Sequence, residues 1–218
     1  MKIKYKIIKK AISTELAEFL TSYFFLKKKV FQTFLKSKYI SPYNSEWGTF
    51  SDSQHSNTYC HFADMAMETL LERLKPQMEK IMGHSLLCTY SYARLYKKGD
   101  VLERHKDRFS CEISTTMFLG GDPWSIYLNP NPKQGVLKDG QYIHSGAKGI
   151  KVDLKQGDML VYRGSDLEHW REEFPGENCC QVFLHYNKDT PKNKKNEYDG
   201  RPHLGLPQLF KGTKNGSK

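Results

Sequence analysis

One short stretch of the sequence could hold a metal ion: His105-Lys106-Asp107. In a strand or extended turn, residues i and i+2 point the same way, so an imidazole and a carboxylate two apart can grip one ion. A third ligand must come from elsewhere. His169, just after the MLVYRG run, is the best candidate. Two histidines and a carboxylate on one face of a metal leave the opposite face open, which suits Fe(II) and oxygen chemistry. Taken alone, H-x-D also occurs as an ordinary surface pair, so its context has to decide. The other histidines are His55, His61, His84, His144, His185 and His203, and none has a carboxylate at i±2. His185, between Leu184 and Tyr186, reads as a strand histidine that satisfies a core hydrogen bond. His144 lies in a Gly-rich loop and is a weaker third ligand.

These residues need a frame. Ser13 is an expected N-cap, with Glu15 and Glu18 in the first turns. Ile12, Leu16, Phe19, Leu20, Tyr23 and Phe24 recur at helical spacing, and Val30, Phe31, Phe34 and Leu35 continue the pattern. Lys27-Lys28-Lys29 is expected to mark a turn, and Ser41-Pro42 to end the segment. The polar stretch 44–56 reads as a loop, and SEWGTFSDSQHSNTY (45–59) is a candidate substrate lid or equally a packing loop. A second helix is expected over about 64–82, with Leu70, Leu71 and Leu74 on one face and Gly83 as C-cap. Pro76 allows two shorter helices there. From Leu86 the pattern changes to short strands: LLCTYSYARLY, CEISTTMFL, WSIYL, a hairpin at Asp139-Gly140, a second hairpin joining IKVDL to MLVYR, and CCQVFLHY. The expected fold is mainly β with N-terminal helices, a sandwich or barrel.

The order YARLYKKGDVLERHKD, then a β-rich stretch, then GDMLVYRG and EHWRE resembles the 2-oxoglutarate/Fe(II)-dependent dioxygenase superfamily. The Y-x-x-G-x-x-x-x-x-H-x-D run is similar to the prolyl-4-hydroxylase-like branch and to the nucleic-acid demethylases. The longer string CEISTTMFLGGDPWSIYL…QVFLHY resembles bacteriophage-encoded oxygenases. The resemblance covers roughly 86–186. It implies a double-stranded β-helix (jelly-roll) core, Fe(II) held by His105, Asp107 and His169, and 2-oxoglutarate and O2 as cosubstrates. It also implies that oxidative decarboxylation to succinate and CO2 is coupled to hydroxylation of a substrate C–H. The distal carboxylate of 2-oxoglutarate needs a cation, in most of the family an Arg or Lys about ten residues after the distal histidine. Here 176–181 holds neither. Arg94 is one replacement: it shares a strand face with Tyr96, a candidate hydrogen-bond partner of the cosubstrate, and the matching demethylase positions contact 2-oxoglutarate. Arg171, two residues after His169, is the other. Arg104 and Arg108 flank the motif as substrate contacts or solvated side chains. Trp124 and Trp170 are candidate pocket walls, and Cys111 reads as a small buried residue.

The implied substrate is a protein or peptide side chain, prolyl-hydroxylase-like. The alternatives are a nucleic acid, a small molecule, or a non-catalytic jelly-roll module. The 218 residues read as one domain: 1–85 a helical support, 86–187 the dioxygenase core, and 188–218 a basic, partly disordered extension. Five cysteines without a C-x-x-C fit neither a disulfide framework nor a zinc knuckle. No run is long enough to span a membrane, so the expected location is cytoplasmic, the host cytoplasm if phage-encoded. The net charge of +10 raises the case for an anionic partner. Its distribution weakens that case. Segment 1–40 holds ten Lys/Arg and two acids, 188–218 eight and three, and 41–187 sixteen and nineteen. The expected catalytic core is therefore slightly acidic, and nucleic acid becomes the partner only if the basic ends fold back beside the metal.

Overall fold

The computed structural model describes residues 4–50, 52, 54–138 and 141–210. The chain opens with a strand missed by the sequence reading, β1 (Tyr5–Ile8), and then helix α1 (Thr14–Lys36). The Ser13 hydroxyl caps α1 by accepting from the Leu16 N–H at 3.2 Å. No turn forms at Lys27–Lys29. Ala17, Leu20, Phe24 and Phe31 are buried along one stripe; Lys27 and Lys28 flank it, with Lys27 forming an ion pair with the buried Asp64, Lys29 is exposed, and the helix continues to a C-cap at Ser37. A second unforeseen strand, β2 (Tyr59–Phe62), leads into α2 (Met65–Met82). Asp64 caps α2 and Gly83 ends it in the left-handed conformation at φ 73°. Pro76 does not divide α2. It removes one backbone hydrogen bond, and burial of Leu70, Leu71, Leu74 and Met78 outweighs that loss.

The remaining strands are β3 (Leu86–Lys97), β4 (Leu102–His105), β5 (Ile113–Gly121), β6 (Ile126–Leu128), β7 (Val136–Lys138), β8 (Gln141–Ile143), β9 (Ile150–Val152), β10 (Met159–Tyr162), β11 (His169–Arg171) and β12 (Asn178–Lys188). They form a six-stranded sheet ordered β1-β10-β5-β12-β3-β2, a four-stranded sheet ordered β4-β11-β6-β9, and the small β7-β8 pair. This is the expected jelly-roll core. The hairpin expected between IKVDL and MLVYR does not form. β9 pairs with β6 in the four-stranded sheet, whereas β10 pairs with β5 and β1 in the other. In a jelly roll the Lys155–Asp158 turn carries the chain from one sheet to the other. The Asp139-Gly140 turn and the 211–218 tail lie outside the described residues.

Period-two alternation assigns each face of the large sheet. On β10, Met159 and Val161 pack with the α1 and α2 side chains, while Leu160 and Tyr162 face the second sheet. One core therefore lies under the helices and another between the sheets. The second core supplies Tyr96, Leu102, Ile126 and Tyr162 to the walls of the site. Among the described residues, no helix is long and apolar enough to cross a membrane.

Candidate metal centre

β4 ends at His105 and β11 begins at His169. The two strands pair antiparallel with these residues opposite each other, and the imidazole centroids lie 4.3 Å apart. Asp107 follows two residues after β4. Its N–H donates to the Gly164 carbonyl at 2.9 Å, which ties it to the segment after β10. Asp107 Oδ1 is 3.5 Å from Nε2 of His105 and 3.5 Å from Nε2 of His169. His105 Nδ1 lies 2.7 Å from the Glu103 carbonyl and His169 Nδ1 2.9 Å from that of Leu167. A carbonyl only accepts, so each Nδ1 carries a proton, and each Nε2 facing Asp107 donates to the carboxylate when the ring is protonated and offers a lone pair to an ion when it is neutral. This is the donor set that a divalent ion needs.

Burial alone would raise the Asp107 carboxyl. The charge of His169 and the hydrogen bonds from His105 and His169 instead hold it well below the usual carboxylate range. For His105, burial opposes the charged form, and the Asp107 hydrogen bond more than offsets it, so its pKa is raised. Gly164 is needed here because a Cβ at that position would collide with Ser114 Oγ and Asp107 Oδ2.

The His105, Asp107 and His169 side chains open into a cavity of about 590 Å³. Tyr90, Tyr92, Arg94 and Tyr96 recur at every second position of β3 and form one wall. Arg94 is buried, donates to the Tyr96 hydroxyl at 3.0 Å and to Gln54 Oε1 at 3.1 Å, and forms an ion pair with Asp52. Burial would raise the Asp52 carboxyl, but Arg94 and the Tyr92 hydroxyl bring it down to about 2. Arg171 has 1% of its surface exposed, the largest side chain among those fully buried. It donates to the Trp124 carbonyl and, at 3.0 Å, to Thr116 Oγ1, while its Nε has no partner. No carboxylate pairs with it among the described residues. Burial lowers its pKa, and the groups that oppose this are Cys179, Tyr96 and Tyr162.

The fold therefore brings His105, Asp107 and His169 together, sets Arg94 and Tyr96 on one cavity wall, and buries Arg171 beside Tyr96 and Tyr162. Trp124 and Trp170 do not wall the cavity. Trp124 packs on Phe174 and Tyr96 in the core, and Trp170 lies between Tyr127 and the Arg104 guanidinium. His185 meets its expected core role through Ser114 Oγ at 3.1 Å. It also belongs to a second group of metal-type donors with Asp107 and Cys111, but the Cys111 thiol contacts the Tyr90 hydroxyl at 3.0 Å. Arg108 is bidentate to Asp199, both contacts at 2.8 Å. The sequence reading missed Asp52 and Gln54, which reach the cavity from the loop, and Ser114, Thr116 and Gly164. Gly164 was visible as the glycine ending the MLVYRG run. The others carry no local signal.

No protein-family model and no curated protein matches the sequence. Solved structures do resemble it. A Pseudomonas putida prolyl-4-hydroxylase aligns at a TM-score of 0.52 and 12% identity, covering 85% of this chain and 93% of its own. HygX from Streptomyces hygroscopicus, with nickel and 2-oxoglutarate bound, aligns at 0.57 and 14%, covering 86% and 84%. The viral collagen prolyl hydroxylase of Paramecium Bursaria Chlorella virus-1, as its 2-oxoglutarate complex, aligns at 0.53 and 8%, covering 86% and 97%. At these identities the likeness establishes the fold.

Proposed function

We propose that this chain is an Fe(II)- and 2-oxoglutarate-dependent dioxygenase, coupling decarboxylation of 2-oxoglutarate to hydroxylation of a substrate C–H. His105, Asp107 and His169 hold the ion. When bound, the ion and 2-oxoglutarate supply the activation of O2, which side chains alone do not provide.

The charge balance of the site carries this reading. Arg94 is neutralised by Asp52 and Arg108 by Asp199, whereas among the described residues no acid pairs with the buried Arg171. A divalent ion on Asp107, together with Arg171, leaves two positive charges uncompensated in a poorly solvated site. 2-Oxoglutarate is a dianion of matching charge. Arg171, which lies behind the lining beside Tyr96 and Tyr162 rather than in it, takes its distal carboxylate at that end of the cavity. Arg94 fixes the Tyr96 hydroxyl there, and Leu102, Ile126 and Phe183 line the cavity as apolar groups that exclude water.

The substrate is a protein or peptide side chain. Prolyl hydroxylases among the structural neighbours support this. One observation favours nucleic acid as a second reading: the basic C-terminal segment folds back to the cavity, where Asp199 binds Arg108 and Gln208 joins the lining. The test of the reaction class is anaerobic titration with Fe(II) and 2-oxoglutarate. A visible charge-transfer band is expected, and His105→Ala should abolish it. Absence of the band in the parent protein would reject the site. A succinate-release screen over peptide, nucleic-acid and small-molecule pools then separates the substrates.

A further inference from the structure

Asp107 has two carboxylate oxygens in different settings. Oδ1 faces both histidine Nε2 atoms, while Oδ2 lies 2.6 Å from the Ser114 hydroxyl. Ser114 Oγ also contacts His185 Nδ1 at 3.1 Å. A serine hydroxyl has one proton. At 2.6 Å from a carboxylate oxygen, which only accepts, that proton lies on the Asp107 side. Ser114 Oγ must then accept from His185 Nδ1–H. The chain is directional, from His185 to Ser114 to Asp107 Oδ2, and it runs through the large sheet, since Ser114 and His185 are register partners on β5 and β12. Ser114 is fully buried and His185 nearly so. The alpha carbon of Gly164 closes the other side, leaving no room for a Cβ against Ser114 Oγ or Asp107 Oδ2.

We propose that Ser114 and His185 are positioning residues that cap Asp107 Oδ2 and so make Asp107 a one-oxygen ligand. The inference rests on the metal-site reading above. A carboxylate free to rotate can offer both oxygens and take a second coordination position. Capping Oδ2 keeps that position for cosubstrate and oxygen, and it fixes Oδ1 between the two imidazoles before the ion arrives. Loss of such an outer hydrogen bond typically weakens metal binding by about 10- to 100-fold.

The experiment is Mn(II) binding by the full chain without 2-oxoglutarate, followed by EPR of the free ion. Circular dichroism and thermal melting report the fold of each variant. Ser114→Ala and His185→Ala should raise the Mn(II) Kd by about 10- to 100-fold. His185→Asn keeps a donor near the Nδ1 position and should stay within about threefold of the parent, which loss of packing alone would not allow. Parent-like affinity in Ser114→Ala, with binding lost in His105→Ala, overturns the positioning role and spares the site. Parent-like affinity in His105→Ala instead removes the site and the inference with it. If Ser114→Ala fails to fold, the contrast between His185→Ala and His185→Asn decides: equal affinities overturn the proposal.

Discussion

At the scale of single residues, the candidate metal-binding group is the part most fully written in the sequence. His105 and Asp107 are two apart on an extended segment, so geometry aims them together wherever the strand lies. His169 needed the register between β4 and β11 to reach them. The cation for the distal carboxylate was less legible. Arg94 and Arg171 looked alike in sequence, and what separates them is a loop residue 42 positions from Arg94: Asp52 neutralises Arg94, and among the described residues no acid pairs with Arg171. Removing Arg171 should therefore cost cosubstrate binding specifically. A hydrogen bond to a charged group contributes about 1.5–3 kcal/mol, so Arg171→Gln is expected to weaken 2-oxoglutarate by roughly 10- to 150-fold. Mn(II) affinity measured without 2-oxoglutarate should stay near the parent value. Unchanged 2-oxoglutarate affinity in a folded Arg171→Gln protein would return the role to Arg94.

At the scale of elements, the two helices and most of the strands followed from periodicity and caps. The departures have physical causes. Lys27 flanks the buried stripe of α1 and does not break it, because Asp64 meets its charge, and Lys29 is exposed. β1 and β2 are four residues each, too short to show alternation, and they are strands because edges of the large sheet accept them. β9 and β10 read as a hairpin because a Gly turn joins them, and only the pairing of two facing sheets separates them. The 44–56 loop is tied to β3 by Asp52, whose partners are Arg94 and the Tyr92 hydroxyl at 2.6 Å. Its carboxyl pKa is depressed to about 2, although burial pulls the other way. A depressed carboxylate stabilises the fold fully above its unfolded value, about 3.9, and that contribution is lost as pH falls through the folded value. Asp52→Asn should therefore be less stable than the parent at neutral pH, with the difference shrinking between roughly pH 4 and pH 2. Denaturant melts at stepped pH check this, and a difference constant down to pH 2 would mean that the tether is not ionic.

At the scale of the whole molecule, the net charge says less than its placement. The excess sits on the two ends, and the described part of each joins the fold: Lys9 pairs with Asp158, and the chain beyond β12 returns across α2 and β3. Arg201 fixes that return. Its guanidinium is buried, 2.7 Å from Glu68 Oε1 and 3.2 Å from Glu68 Oε2, and it also donates to the carbonyls of Thr89 and Leu206. A buried ion pair adds little net stability compared with a well-packed apolar replacement, but removing one partner strands the other charge at a cost of about 3–5 kcal/mol. Lys98 and Glu177, by contrast, face each other at 3.8 Å with 69% and 77% of their side chains exposed, and such pairs contribute little. Arg201→Met should consequently lower the melting temperature by on the order of 10 °C for a chain of this size. Lys98→Ala should leave it nearly unchanged. Limited proteolysis should also show the chain after Lys188 becoming cleavable in Arg201→Met, because Asp199 and Gln208 reach the cavity only through this segment. If Arg201→Met melts like the parent and resists cleavage, Glu68 is not the anchor, and the closeness of the basic end to the metal must rest on the Arg108–Asp199 contact alone.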